Sequence, residues 1–283
     1  MKISCHEARP LPEQGNVPDV LSPYTQALRN HFPSREDILR AAQQQTRQQR
    51  RLKKITAGIA AISVIALSWY VDPVLQREDL HTMVGQQASY MLKDGSRVSL
   101  NTNSVLLVEQ RLYSRQLRLQ QGEALFSVAH AWRPFTVYAH QTAIRDIGTV
   151  FNVRHHGQGA VVTVVEGAVE VRTASAQRQI FQNQSVSTHA ADMSTTRHAS
   201  AAAATVWQQG RLMFDGDTLA EVVSELQRYH HGQIEIADAR IAHYRMSGEY
   251  DINGIDALID TLPEILPVRI ARHEGGTIVI RQR

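Results

Sequence analysis

The seventeen residues from Ile55 to Val71 contain no ionisable side chain, and strongly polar stretches flank them on both sides. A helix rises about 1.5 Å per residue, so the run covers about 25 Å, the short end of what crosses a hydrocarbon core of about 30 Å. Length alone does not separate a membrane span from a buried core helix or a cleaved signal peptide. The flanks do. Arg47, Arg50, Arg51, Lys53 and Lys54 precede the run, Asp72 and Pro73 end it, and Trp69 and Tyr70 lie where interfacial aromatics collect. About fifty polar residues come first and no small-residue cleavage site follows. The expectation is one membrane helix over 55–71, anchored by Arg50, Arg51, Lys53 and Lys54 on the cytoplasmic side and by Trp69 and Tyr70 on the other.

That reading divides the charge. Residues 1–54 hold ten Lys or Arg against five Asp or Glu, whereas the remainder holds 20 against 22, so the basic excess belongs to the anchor and argues against a nucleic-acid-binding face. The single cysteine, Cys5, falls in the cytoplasmic part, so the outer part must rely on ordinary cores without disulfides.

Along the chain, residues 1–18 carry Pro10, Pro12, Gly15 and Pro18 without periodicity and are expected to be disordered or extended. Leu21, Tyr24, Leu28 and Phe32 recur at helical spacing, and Ser34-Arg35-Glu36-Asp37 resembles a capping box that opens a second helix, with the Gln-rich stretch 43–49 running into the span. So short a tail encloses little core, which leaves that apolar stripe either to a bound partner or to a weakly helical tail. Beyond Pro73 the period changes to two, in short runs at Arg97–Leu100, Val105–Val108, Ala124–Val128 and Phe135–Val137 separated by Gly-containing turns. We expect an all-β domain over 72–188, a linker over 189–205, and a compact α+β domain over 206–283 in which Thr218 and Glu221 cap the first helix.

The runs Leu92-Lys93-Asp94-Gly95-Ser96, Leu119-Gln120-Gln121-Gly122-Glu123-Ala124-Leu125-Phe126-Ser127-Val128-Ala129, Pro134-Phe135-Thr136-Val137, Asp146-Ile147-Gly148-Thr149-Val150-Phe151-Asn152-Val153 and Val164-Val165-Glu166-Gly167-Ala168-Val169-Glu170-Val171 together resemble the FecR family of sensors. The last unit, with Trp207-Gln208-Gln209-Gly210, Leu212-Met213-Phe214, Met246-Ser247-Gly248 and Leu266-Pro267-Val268, is similar to the family's C-terminal domain, which resembles the short signalling (STN) domain of TonB-dependent transducers. The resemblance implies a single-pass protein of the bacterial inner membrane, N-terminus cytoplasmic and C-terminus periplasmic. It implies a relay in which a TonB-dependent outer-membrane transducer touches 206–283 and the tail controls a sigma factor of the extracytoplasmic-function class, as anti-sigma factor or as activator. Iron or haem is the usual input, and periplasmic and intramembrane proteases free the tail. It favours a sigma-factor contact at Leu21, Tyr24, Leu28 and Phe32. Here the tail is short and has no tryptophan before Trp69, unlike many members.

Some members also break their own chain at the matching Gly-Thr bond. At Gly148-Thr149 a hydroxyl beside a glycine carbonyl suits an acyl shift, and a glycine at a strand bulge suits the same residues. Thirteen histidines include His155-His156 and His230-His231, which fit a hairpin tip and a helix C-terminus better than a metal site, so no metal or cofactor is expected. Glu123, Glu166 and Glu170 are expected to face solvent. No hydrolase, zinc-protease or phosphate-loop motif is present, so the chain is expected to be no enzyme beyond self-cleavage. Two other readings stay open: an envelope structural or assembly protein, which would co-purify only with envelope machinery, and a periplasmic small-molecule binder.

Overall fold

The computed structural model describes residues 34–273 and 275–283. The chain forms two units, 1–68 and 69–283. The expected contact stripe Leu21, Tyr24, Leu28 and Phe32 lies outside the described residues. Helix α1 (Arg35–Val71) runs unbroken from the Gln-rich stretch through the apolar run. Its segment Gln49–Val71 has a mean hydropathy of 1.6 and none of it is buried, which makes α1 the one helix among the described residues long and apolar enough to cross a membrane. Its hydroxyls are satisfied within the helix: Thr56 Oγ1 donates to the Leu52 carbonyl at 3.0 Å and Ser63 Oγ to that of Ile59 at 2.9 Å. Arg50, Arg51, Lys53 and Lys54 are all exposed.

The β domain comprises β1 (Val74–His81), β2 (Ala88–Met91), β3 (Arg97–Leu100), β4 (Val105–Arg111), β5 (Arg115–Gln121), β6 (Glu123–Ser127), β7 (Phe135–Ala139), β8 (Thr142–Asp146), β9 (Val150–His156), β10 (Gly159–Glu166), β11 (Ala168–Arg172), β12 (Gln177–Phe181), β13 (Gln184–His189), β14 (Asp192–Met193) and β15 (Arg197–His198). They build two sheets, β1-β4-β5-β7-β8-β11-β12 and β14-β13-β10-β9-β6-β3-β2, with β15 also on β13. All pairs are antiparallel except β5 with β7. Alternate residues of both sheets meet in one apolar core, where the rings of Phe126 and Phe151 stack at 5.2 Å and Phe135 meets Phe126 edge-on at 6.2 Å.

The expected linker over 189–205 is corrected. His189 ends β13, Ala190 turns the chain at a φ of 51°, and β14 and β15 fold back on β13 before helix α2 (Ala201–Thr205). The segment looks irregular in sequence because its strands are two residues long, too short to show alternation.

The C-terminal domain follows the expected order: β16 (Arg211–Thr218), α3 (Leu219–Gln227), β17 (Ile234–Ile236), β18 (Arg245–Asp251), α4 (Ile255–Ile265), β19 (Val268–Arg272) and β20 (Ile278–Gln282). Strand β16 pairs with β18, while β17, β20 and β19 form a second small sheet whose β17–β20 pair is parallel. The capping box forms as the spacing predicts: Thr218 accepts from the Glu221 amide and Glu221 accepts from that of Thr218. Helix α3 buries Leu219, Val222, Val223 and Leu226, and α4 buries Ile255, Leu258, Ile259 and Leu262, in one core with β20.

Candidate functional site

Strands β6 and β9 are covered on both faces. Ala124, Phe126, Phe151 and Val153 point into the sandwich, and the alternate residues Glu123, Leu125, Asn152 and Arg154 point toward the C-terminal domain, whose core Leu125 joins. Gly122, at a φ of 83°, makes the corner that admits Glu123. A Cβ there would stand 2.2 Å from Ser104 Oγ, the atom that accepts the Glu123 amide at 2.9 Å.

Glu123 is 5% exposed, which corrects the expectation that it faces solvent. Its Oε2 accepts from Arg228 at 2.7 Å and from Asn101 Nδ2 at 2.8 Å, and its Oε1 accepts from Asn152 Nδ2 at 2.7 Å. Arg228 also reaches Glu225 at 2.6 Å, and Glu225 meets Arg154 at 2.7 Å. Asn101 Nδ2 donates to the Tyr229 hydroxyl at 2.7 Å, Thr102 Oγ1 donates to the Arg228 carbonyl at 2.9 Å, and Gln87 Nε2 donates to that of Trp207 at 2.9 Å. Burial raises the Glu123 pKa, but Arg228 and Arg154 with the Asn152 amide outweigh it, so the carboxyl sits below its ordinary value. Burial lowers that of Arg228, and Glu123 and Glu225 outweigh this and raise it. Burial raises that of Tyr229. The arrangement is a charged lock between two domains, with the donors and acceptors to hold their relative orientation.

Beside the lock lies a cleft of about 920 Å³, between β9, β10 and β13 on one wall and β16 and α3 on the other. Gly148 and Thr149 sit elsewhere, between β8 and β9. The Asp146 carboxylate accepts from the Thr149 hydroxyl and, at 3.1 Å, from the Gly148 amide. Gly148 is exposed with a φ of 92°, Thr149 is 5% exposed, and Gly167 lets the Gly148 carbonyl pack close, since a Cβ there would lie 2.3 Å from that oxygen.

Among the other expected site residues, Trp69 and Tyr70 are 70% and 90% exposed at the end of α1, and the Trp69 ring lies 5.9 Å from that of Tyr113. Glu166 is exposed and Glu170 half-buried. His156 is exposed at a hairpin end, and His230 Nδ1 pairs with the Gly232 carbonyl at 2.8 Å just beyond α3. No cluster of three metal-ligating side chains occurs among the described residues.

Comparison with known families matches residues 78–170 to the model described as FecR protein and residues 211–280 to that described as FecR, C-terminal. The chain belongs to the FecR family. Among solved structures, two crystal structures of a candidate anti-sigma factor from Parabacteroides distasonis, at 2.50 and 1.65 Å resolution, share its fold. Both are 23% identical to it, with TM-scores of 0.64 and 0.65; they cover 74% and 73% of this chain, which in turn covers 100% and 99% of theirs. No match is found among the curated proteins compared by sequence.

The lock was missed because Glu123 directly follows the turn at Gly122, and a carboxylate at a strand end reads as solvent-facing. One signal was available. Glu123 and Leu125 share a face of β6, and a leucine two residues from a carboxylate argues for a covered surface.

Proposed function

We propose that this FecR-family protein is a single-pass inner-membrane relay. Residues 1–54 bind a sigma factor of the extracytoplasmic-function class, and 72–283 receive the signalling domain of a TonB-dependent outer-membrane transducer, for iron or haem uptake genes. The observation that carries the reading is the direct joining of one exposed apolar helix, basic at its N-terminal flank, to a family-matched receiver of two locked domains. Regulated proteolysis after domain contact would release the tail. A natural docking place is β19, which among the described residues pairs only with β20 and borders a depression of about 710 Å³ lined by Pro263, Glu264, Arg269 and Arg283. Transcription from the cognate promoter is compared in cells holding the full chain, no protein, or residues 1–54 alone. High output without the protein means an inhibitor, and high output only with the tail means a released activator. Equal output in all three strains removes the sigma-factor reading and favours an envelope structural role.

Self-cleavage at Gly148-Thr149 is a second part of the proposal, supported by the carboxylate that holds the threonine hydroxyl. Thr149 Oγ1 adds to the Gly148 carbonyl carbon and passes its proton to Asp146, the C–N bond breaks as the nitrogen takes up a proton, and water hydrolyses the ester. A denaturing gel of the purified full chain should show two fragments, and Thr149→Ala a single band. An intact wild-type chain would leave Gly148 as a turn residue only.

A further inference from the structure

Trp132 is 75% exposed, on the loop between β6 and β7. Exposure of so large an apolar ring is costly in water, and the loop that carries it is firmly held. The Arg133 carbonyl accepts two hydrogen bonds from the buried Arg115, at 3.0 and 2.8 Å, and the Pro134 carbonyl accepts the Arg115 amide at 2.8 Å. The Arg133 guanidinium lies 5.9 Å from the Trp132 ring. The ring is therefore presented on a fixed base.

That base is tied to the point where the chain leaves the apolar helix. Arg133 donates to the Arg111 carbonyl at 3.1 Å, and Arg111 donates to the Asp72 carbonyl at 3.4 Å. The Asp72 carboxylate accepts from the Tyr113 amide at 2.8 Å and from the Ser114 hydroxyl at 2.5 Å, and the Leu112 amide donates to the Pro73 carbonyl at 3.1 Å. Val74 and Leu75, the first residues of β1, are 44% and 61% exposed and directly follow this clamp.

We infer that Trp132, with Val74 and Leu75, forms a lipid-contact surface that seats the β domain on the outer leaflet of the membrane its own helix crosses. Tryptophan suits this depth because its body is apolar and its N–H is polar, and the Arg133 guanidinium beside it suits lipid phosphate. The occupant follows from continuity: Asp72 is the first residue beyond the span, and two hydrogen bonds link it through Arg111 to the residue next to Trp132. The inference rests on the membrane-span reading above.

The test uses the full chain in proteoliposomes made with or without phospholipids brominated near the glycerol end of the acyl chains. Trp207 is buried and serves as constant background, so W69F reports Trp132, W132F reports Trp69, and W69F/W132F reports Trp207 alone. The W69F emission should fall to about one half on bromolipid, the share left by Trp207, and Trp132 should resist aqueous iodide. Quenching of W132F by bromolipid without quenching of W69F overturns the lipid-contact surface and leaves the span intact. Quenching of neither overturns the span and the surface together.

Discussion

The two sides of strands β6 and β9 solve opposite problems. On the inner side, Phe126, Phe151 and Val153 are fully buried among apolar neighbours, and their burial commits the chain to a sandwich. On the outer side, Glu123, Asn152 and Arg154 meet Arg228, Glu225 and Tyr229, groups that lose much of their advantage if displaced by a few ångströms. An apolar core tolerates approximate geometry and gains mainly from area; a charged junction gains little net energy but strongly disfavours every other orientation. The inner side fixes what the domain is, and the outer side fixes how its partner domain is held.

The comparison breaks first at the core. Phe126→Ala should cost about 3–5 kcal/mol and melt the β domain as a whole, measured by thermal unfolding followed by near-UV circular dichroism of the 69–283 unit in the full chain. If Glu123→Gln cost as much, the two sides would be equivalent. Instead it should cost about 2 kcal/mol, because Arg228 keeps Glu225 and the isosteric amide still fills the site. Its mark should be faster proteolysis or amide exchange at the junction while the sandwich remains protected.

Acid sharpens the same contrast. The Glu123 carboxyl is held below its ordinary value of 4.5. A group whose pKa is depressed by folding contributes its full stability above the unfolded value and loses it as the pH falls through the folded one. Protection factors, corrected for the intrinsic exchange rate at each pH, should therefore fall at Asn101, Arg228 and Tyr229 below pH 4.5, earlier than at Val98 or Phe126, and Glu123→Gln should remove the difference. Simultaneous opening of both regions would mean that the junction is no weaker link.

What was legible in the sequence follows the same division. The apolar run, the alternating strands, the glycine turns and the Thr218–Glu221 cap depend on local periodicity, and they lie where a single-chain reading places them. The junction depends on residues far apart in sequence, such as Glu123 and Arg228, whose pairing no local pattern encodes. Strands β14 and β15 were missed for a third reason, since two residues cannot display a period. At Gly148-Thr149 the dipeptide was visible, but the hydroxyl's acceptor, Asp146, emerged only from the fold.

The smallest expected effect isolates burial from charge. Arg154–Glu225 crosses the junction at 2.7 Å with side chains 31% and 16% exposed, while Arg211–Glu249 joins β16 to β18 at 2.8 Å with side chains 55% and 39% exposed. The two ion pairs have nearly the same length and chemistry, so any difference between them arises from solvent screening and from neighbours that hold them in place. A double-mutant cycle on Arg211 and Glu249 should give a coupling of about 0.5 kcal/mol or less, reduced further by salt. The cycle on Arg154 and Glu225 should give a larger coupling that salt changes little, because Glu225 is also fixed by Arg228. Equal couplings with equal salt dependence would place the junction among ordinary surface pairs, and the lock would then reside in Glu123 and its hydrogen bonds alone.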